Sequence, residues 1–225
     1  YAGVLGTGVA KLPGGINTGR TGLTETAAKA AGHDVITALC VVDDKAHYYP
    51  GAGSFLVKMI GDKTTGEFLG IQVLGKGAVD KMVDIAVAAL SLKATVQQLE
   101  HLDFAYAPPF STAIHPFAHC INILLNKMSG SFETFTPVEF AEGMAEGYKV
   151  IDASLKPTLE GVEFMNLEEV DGEVEGHSKD EKMLLVCAKG KRAYMLQNRL
   201  KSYGYTNTKV LEGGSTFNGE DLTED

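Results

Sequence analysis

Cysteine is scarce in this 225-residue chain: there are three, Cys40, Cys120 and Cys187, and no Cys-x-x-Cys pair. Residues so few and so scattered exclude a secreted disulfide framework and fit a reducing, cytoplasmic setting. No apolar run reaches the ~18 residues that a membrane span needs. The opening residues lack the basic stretch of a signal peptide, and a start on Tyr1 without Met suggests a fragment of a longer polypeptide. Metal-ligand spacing is nearly missing too. His115 and His119 stand four apart beside Cys120, but no glutamate follows His115 in zinc-protease fashion, so a buried or interface histidine is the simpler reading. No Gly-x-Gly-x-x-Gly fingerprint occurs; Gly51-Ala52-Gly53 and Gly75-Lys76-Gly77 are isolated pairs.

An excess of positive charge is also lacking. The net charge is −9, and it is distributed unevenly. Residues 1–130 hold 10 Lys and Arg against 10 Asp and Glu, whereas residues 131–225 hold 10 against 19. An acidic second half argues against nucleic acid as a partner. The break falls at Lys127-Met128-Ser129-Gly130-Ser131, a small polar stretch suited to a linker, so two domains are expected, 1–130 and 131–225.

What is present in the first half reads as strands with helices. Tyr1 to Leu12 is strand-like, Thr24 is an N-cap, and Val35–Val42 is a buried strand. Phe55–Ile60 and Phe68–Leu74 flank Asp62-Lys63-Thr64-Thr65-Gly66 as an antiparallel hairpin. Helices follow over Val79–Leu92, after Thr95, and over His115–Lys127. The last is so apolar at Ile121, Ile123, Leu124 and Leu125 that burial on more than one side is expected, as at a subunit interface. An α+β unit results, an antiparallel sheet with helices packed on it.

In the second half, Thr136-Pro137-Val138-Glu139 is a capping box with proline at the first helical position. Strands are expected over Tyr148–Asp152, Glu163–Leu167, Met183–Val186 and Lys209–Leu211. Strand alternating with helix implies a small α/β domain with a parallel sheet. The run Met183-Leu184-Leu185-Val186 ends on Cys187 and breaks into Ala188-Lys189-Gly190-Lys191, after which Arg192 opens a helix over Ala193–Tyr203. Loop N–H groups and the positive end of the helix would converge on the sulfur. Lys189, Lys191 and Arg192 add cations, a setting that favours the thiolate.

Four residues separate Cys187 from Arg192. Cysteine-type phosphatases resemble this arrangement but use a wider loop. The tighter spacing resembles the rhodanese family, whose cysteine carries a sulfane sulfur as a persulfide. Thr136-Pro137-x-Glu139-Phe140, Val150-Ile151-Asp152, Cys-x-x-Gly-x-Arg and Val210-Leu211-Glu212-Gly213-Gly214 carry the likeness. Two features depart from it. Ser154 stands where arginine is usual, and the segment Leu155–Lys182 is short.

Residues 1–130 resemble the dimerisation domain of flavin-dependent pyridine nucleotide-disulfide oxidoreductases of the coenzyme A-disulfide reductase and NADH oxidase branch. The motifs are Thr21-Gly22-Leu23-Thr24-Glu25, His47-Tyr48-Tyr49-Pro50-Gly51, Gly75-Lys76-Gly77-Ala78-Val79-Asp80-Lys81, and Ala105-Tyr106-Ala107-Pro108-Pro109-Phe110-Ser111. The resemblance implies a homodimer in which Tyr48 or Tyr49, and Tyr106, reach the partner subunit's reacting sulfurs. It implies a coenzyme A persulfide or disulfide, or another sulfane-sulfur donor, as substrate. It also implies FAD and NADH for the full-length enzyme, neither of which this chain alone is expected to bind tightly. The rival reading is a non-catalytic dimerisation and docking module with a degenerate rhodanese domain, which the Ser154 departure favours.

Overall fold

A computed structural model of the chain describes residues 3–219 and 222. It divides into two compact units, Tyr1–Ser129 and Gly130–Asp225.

The first unit is built on a five-stranded antiparallel sheet of β1 (Gly8–Lys11), β2 (Asn17–Gly22), β3 (Val35–Asp43), β4 (Ser54–Asp62) and β5 (Phe68–Gly75), in the order β1-β2-β5-β4-β3. The β4–β5 hairpin is closed chemically as well as sterically. The Asp62 carboxylate accepts the Thr64 and Thr65 N–H groups, each at 2.9 Å, and Gly66 takes a left-handed φ of 75°. Those donors, Thr65 first, and the His33 ring hold Asp62 below the usual carboxylate range despite its burial. Alternation along β4 sends Phe55, Val57 and Met59 inward, where they meet α2 (Val79–Ser91) and α4 (Pro116–Met128). α1 (Glu25–Ala30) and the single turn α3 (Val96–Leu99) complete the unit. Thr24 caps the first, and a Thr95–Gln98 capping box the second.

Two expectations need correction. Strand β1 is only four residues long and exposed throughout, because Gly3 and Gly6 take positive φ before it; Tyr1 and Ala2 lie outside the described residues. Helix α4 is amphipathic rather than apolar all round. Phe117, Cys120, Ile121 and Leu124 are fully buried, each large side chain stabilising the core by about 2 kcal/mol. Ile123 and Leu125 pack partly on the same core, and Lys127 Nζ donates to Thr37 O of β3 at 2.6 Å. The helix therefore does not itself demand a partner.

His115 proves to be an N-cap. Its Nδ1 accepts the Phe117 N–H at 3.2 Å, and its ring stacks on Phe104 at 4.4 Å. Burial, with Lys81 adding repulsion, lowers its pKa from 6.5 to about 4. The unfolded chain thus takes up this proton before the folded one does. The stabilisation is complete above pH 6.5 and is lost as the pH falls towards 4, by at most about 3 kcal/mol. Urea unfolding across that window, at fixed protein concentration, is expected to show the decline. His115→Asn, which can still cap, should flatten it; an unchanged slope in that variant would refute the assignment.

The second unit carries a parallel sheet of β6 (Thr134–Phe135), β7 (Lys149–Asp152), β8 (Glu163–Phe164), β9 (Met183–Val186) and β10 (Thr208–Leu211), in the order β6-β10-β9-β7-β8. The central strand β9 is wholly buried, as an unbroken apolar run between two parallel neighbours must be. The Thr136–Glu139 capping box starts α5 (Pro137–Ala141). Strand β8 stops at Phe164 instead of reaching Leu167, because the chain turns there and Met165 N donates back to Asp152 O at 3.0 Å.

Helix α6 spans Lys191–Ser202, so Lys191 and Arg192 lie inside its first turn instead of ahead of it. The reason is Gly190, whose left-handed φ of 86° makes it the N-cap. The buried face is Ala193, Leu196, Gln197 and Leu200, while Tyr203 falls past the end of the helix. Gln197 spans to its neighbours: Nε2 donates to Glu133 O at 2.8 Å and Thr208 O at 2.9 Å, and Oε1 accepts Glu133 N–H at 3.2 Å. A last short helix, α7 (Gly214–Asn218), follows β10.

Candidate functional site

Cys187 sits at the carboxyl end of β9, where ligands of open α/β sheets collect. Its residue is 5% exposed. The N–H that reaches the sulfur belongs to Ala193, third residue of α6, at 3.4 Å. That donor is fixed by the helix and backed by the dipole of twelve residues, so it meets a sulfur anion without rearranging. Ala188 and Lys191 are exposed, and Lys189 and Gly190 half-buried, which places the loop's cations at the rim.

The loop is braced from behind by the Gly213-Gly214 turn. Ser215 N donates to Cys187 O and Thr216 N to Ala188 O, each at 3.1 Å. A Cβ at Gly214 would overlap the Cys187 carbonyl oxygen and lie 2.7 Å from that of Ala188, and φ there is +54°. Only glycine permits this approach.

Beside it, Ala153 N donates to Val186 O at 2.7 Å, bringing the end of β7 against the start of the loop. The buried Asp152 carboxylate is satisfied locally. It accepts from Ser154 N (2.9 Å), Thr158 N (2.6 Å) and Leu159 N (3.0 Å), and from the Thr158 hydroxyl (3.2 Å). Burial alone would raise its pKa, but these donors outweigh it and hold the carboxyl below its ordinary range. Ser154 belongs to this cradle, its hydroxyl 3.0 Å from that of Thr158. The position that is arginine in the resembled family is here a short hydroxyl beside a carboxylate that backbone donors already satisfy.

Arg192 extends from the first turn of α6 toward the segment after β8. Nη2 donates to Asn166 Oδ1 at 3.4 Å, and Nη1 lies 3.9 Å from Glu168 Oε1. Its Nε is buried and has no hydrogen-bond partner among the described residues. Ala193, Asn166 and Gly214 are the site residues that sequence reasoning did not assign a role. Ala193 acts through its backbone, which leaves no trace in a residue type. Asn166 is distant in sequence. Gly214 alone carried a signal, in the paired glycine.

In the first unit, Tyr48 and Tyr49 lie in the β3–β4 loop, 69% and 38% exposed, and Tyr106 lies in the segment before α4, 52% exposed. The Tyr106 hydroxyl has no partner among the described residues. A nearby cavity is lined by Asp44, Lys45, Phe55, Lys81, Phe110 and His115, and none of the three tyrosines is among its lining residues. Phe110 and Ile114 are also exposed, at 74% and 54%, and form an apolar margin beside Tyr106. Cys40 and Cys120 are buried. Among the described residues no group of three His, Cys, Asp or Glu could hold a metal, and no helix is long and apolar enough to cross a membrane.

The model of the pyridine nucleotide-disulphide oxidoreductase dimerisation domain matches residues 15–118, and that of the rhodanese-like domain matches residues 132–216. The chain is similar to the NAD(P)H coenzyme A polysulfide/persulfide reductase of Pyrococcus horikoshii, 37% identical over 124 residues, which are 55% of this chain and 27% of that one. It thus spans about a quarter of the length of the curated relatives it matches. Two solved structures resemble it over nearly its whole length. One is a NAD-dependent persulfide reductase from A. fulgidus, with a TM-score of 0.86 and 31% identity, covering 96% of this chain and 40% of that one. The other is the reduced Bacillus anthracis CoADR-RHD, with a TM-score of 0.86 and 30% identity, covering 98% and 41%. The chain therefore joins a dimerisation domain of the pyridine nucleotide-disulphide oxidoreductase family to a rhodanese-like domain, and over nearly its whole length it is similar to a persulfide reductase and to a CoADR-RHD.

Proposed function

We propose that Cys187 carries sulfane sulfur for an FAD- and NADH-dependent coenzyme A-disulfide or persulfide reductase of which this chain forms part. The observation that carries the reading is the Ala193 N–H aimed at Sγ from the first turn of α6. The Cys187 thiolate attacks the outer sulfur of a persulfide or thiosulfate-type donor. The donor's S–S bond breaks, a new S–S bond forms on Cys187, and the donor leaves as its thiolate or, from thiosulfate, as sulfite. The Ala193 amide and the helix dipole stabilise the sulfur anion before and after transfer, and Lys189, Lys191 and Arg192 attract an anionic donor.

FAD and NADH are assigned to other parts of the enzyme. In keeping with this, the two glycine-bearing strand-to-helix turns of the parallel sheet bond to each other, through Ser215 N on Cys187 O and Thr216 N on Ala188 O. Tyr48, Tyr49 and Tyr106 are proposed to serve the partner subunit of a homodimer. Their exposure and the apolar margin at Phe110 and Ile114 support this. A phenol placed there can donate a hydrogen bond to a departing thiolate.

Thiosulfate-to-cyanide transfer by the chain tests the sulfur-carrier role. Turnover above the uncatalysed rate is expected, and its absence would refute the reading.

A further inference from the structure

Arg192 is held, and the group that holds it is Asn166. The Asn166 side chain is itself oriented: Nδ2 donates to Glu169 Oε1 at 3.1 Å, and Oδ1 accepts the Glu168 N–H at 3.2 Å. This fixes which end of the amide faces the guanidinium, so that Oδ1 also receives Arg192 Nη2 at 3.4 Å. Glu168 Oε1 lies 3.9 Å from Nη1, but that carboxylate is 73% exposed and contributes little holding force. The two terminal nitrogens thus face the turn after β8, and Nε is left buried without a partner among the described residues. The Arg192–Ala193 peptide supplies the N–H on Cys187 Sγ, so the Arg192 side chain springs from the residue next to the one whose N–H reaches the sulfur.

We propose that Asn166 is a positioning residue, fixing the Arg192 guanidinium so that this cation, rather than a freely swinging one, favours an anionic sulfur donor at Cys187. The inference deepens the sulfur-carrier reading by naming what selects for negative charge, but its test does not depend on sulfur transfer. Glu169 orients Asn166, and Asn166 orients Arg192. The cation is thereby held against the segment after β8 instead of swinging into solvent, where its attraction for an anion would be screened. An anionic donor gains from the arrangement, and a neutral reagent of the same size does not.

Alkylation of Cys187 by iodoacetate and by iodoacetamide separates the two, with the modified cysteine located by peptide mass spectrometry. In Asn166→Ala the iodoacetate rate is expected to fall about fivefold, the value of one charge-assisted contact, while the iodoacetamide rate stays within about twofold. Arg192→Gln should lower the ratio at least as far, and adding Asn166→Ala to it should change nothing further. A purely structural disturbance would move both reagents together, and that outcome, or an unchanged ratio, overturns the proposal. A chain that shows the expected ratio but takes up no sulfane sulfur would leave the positioning role standing and remove the carrier role.

Discussion

Cys187→Ser is expected to lower thiosulfate-to-cyanide transfer by on the order of a thousandfold or more. Serine matches the thiol in shape, and its hydroxyl can accept the Ala193 N–H that the sulfur now accepts at 3.4 Å. What it cannot do is form the persulfide: an oxygen nucleophile is almost wholly protonated at neutral pH and makes no stable bond of that kind. Because Cys187 sits against an intact backbone brace, the substitution should move stability by no more than about 1 kcal/mol. The measurement is therefore a paired one, initial rate against thermal melt. Loss of rate with an unchanged melt assigns the chemistry to the thiol. A retained rate removes Cys187 from the mechanism.

Gly214→Ala is expected to destabilise the second unit by about 2–4 kcal/mol, partly through left-handed strain and partly through collision with the loop. The added methyl would meet the Cys187 and Ala188 carbonyls, the same groups that Ser215 N and Thr216 N now hold at 3.1 Å. Something must yield, and the loop is less constrained than the buried strand it follows. The melt of this unit should fall by roughly 10–20 °C, with sulfur transfer declining at temperatures where the unit is still folded. Gly172→Ala is the control. An added Cβ there meets nothing within 4 Å, and φ is ordinary, so a change within about 0.5 kcal/mol is expected. A Gly214→Ala melt equal to that of the native chain would show that the glycine turn does not brace the loop.

Much of this was legible where the physics is local. Capping boxes need two residues three apart, so Thr136 and Glu139 declare a helix start whatever the rest of the chain does. The β4–β5 hairpin is announced by Asp62 and Gly66, which close the turn themselves. The left-handed N-cap at Gly190 is visible as a glycine, but its consequence, that Lys191 and Arg192 enter the helix, depends on where the backbone bonds begin. The polar, half-buried positions of α4 were in the sequence at Asn122, Asn126 and Lys127, hidden by the apolar composition around them.

Tertiary partners were not legible. Gln197 joins α6 to Thr208 and to Glu133, sixty-four residues earlier, and nothing at position 197 names either. Asp152 could have been read as waiting for a cation; in the fold, three backbone amides and a hydroxyl satisfy it. The contact between Asn166 and Arg192 spans twenty-six positions and lies just beyond the end of β8. The site is thus a local motif completed by distant groups, and sequence shows the first far better than the second.

Intact-mass analysis after exposure to thiosulfate or a coenzyme A persulfide, followed by peptide mapping, bears most directly on the role of Cys187. The account predicts a chain heavier by a single sulfur atom, released by a small thiol, and mapped to the peptide that contains Cys187. An unchanged mass, or sulfur found on Cys40 or Cys120 instead, would contradict it.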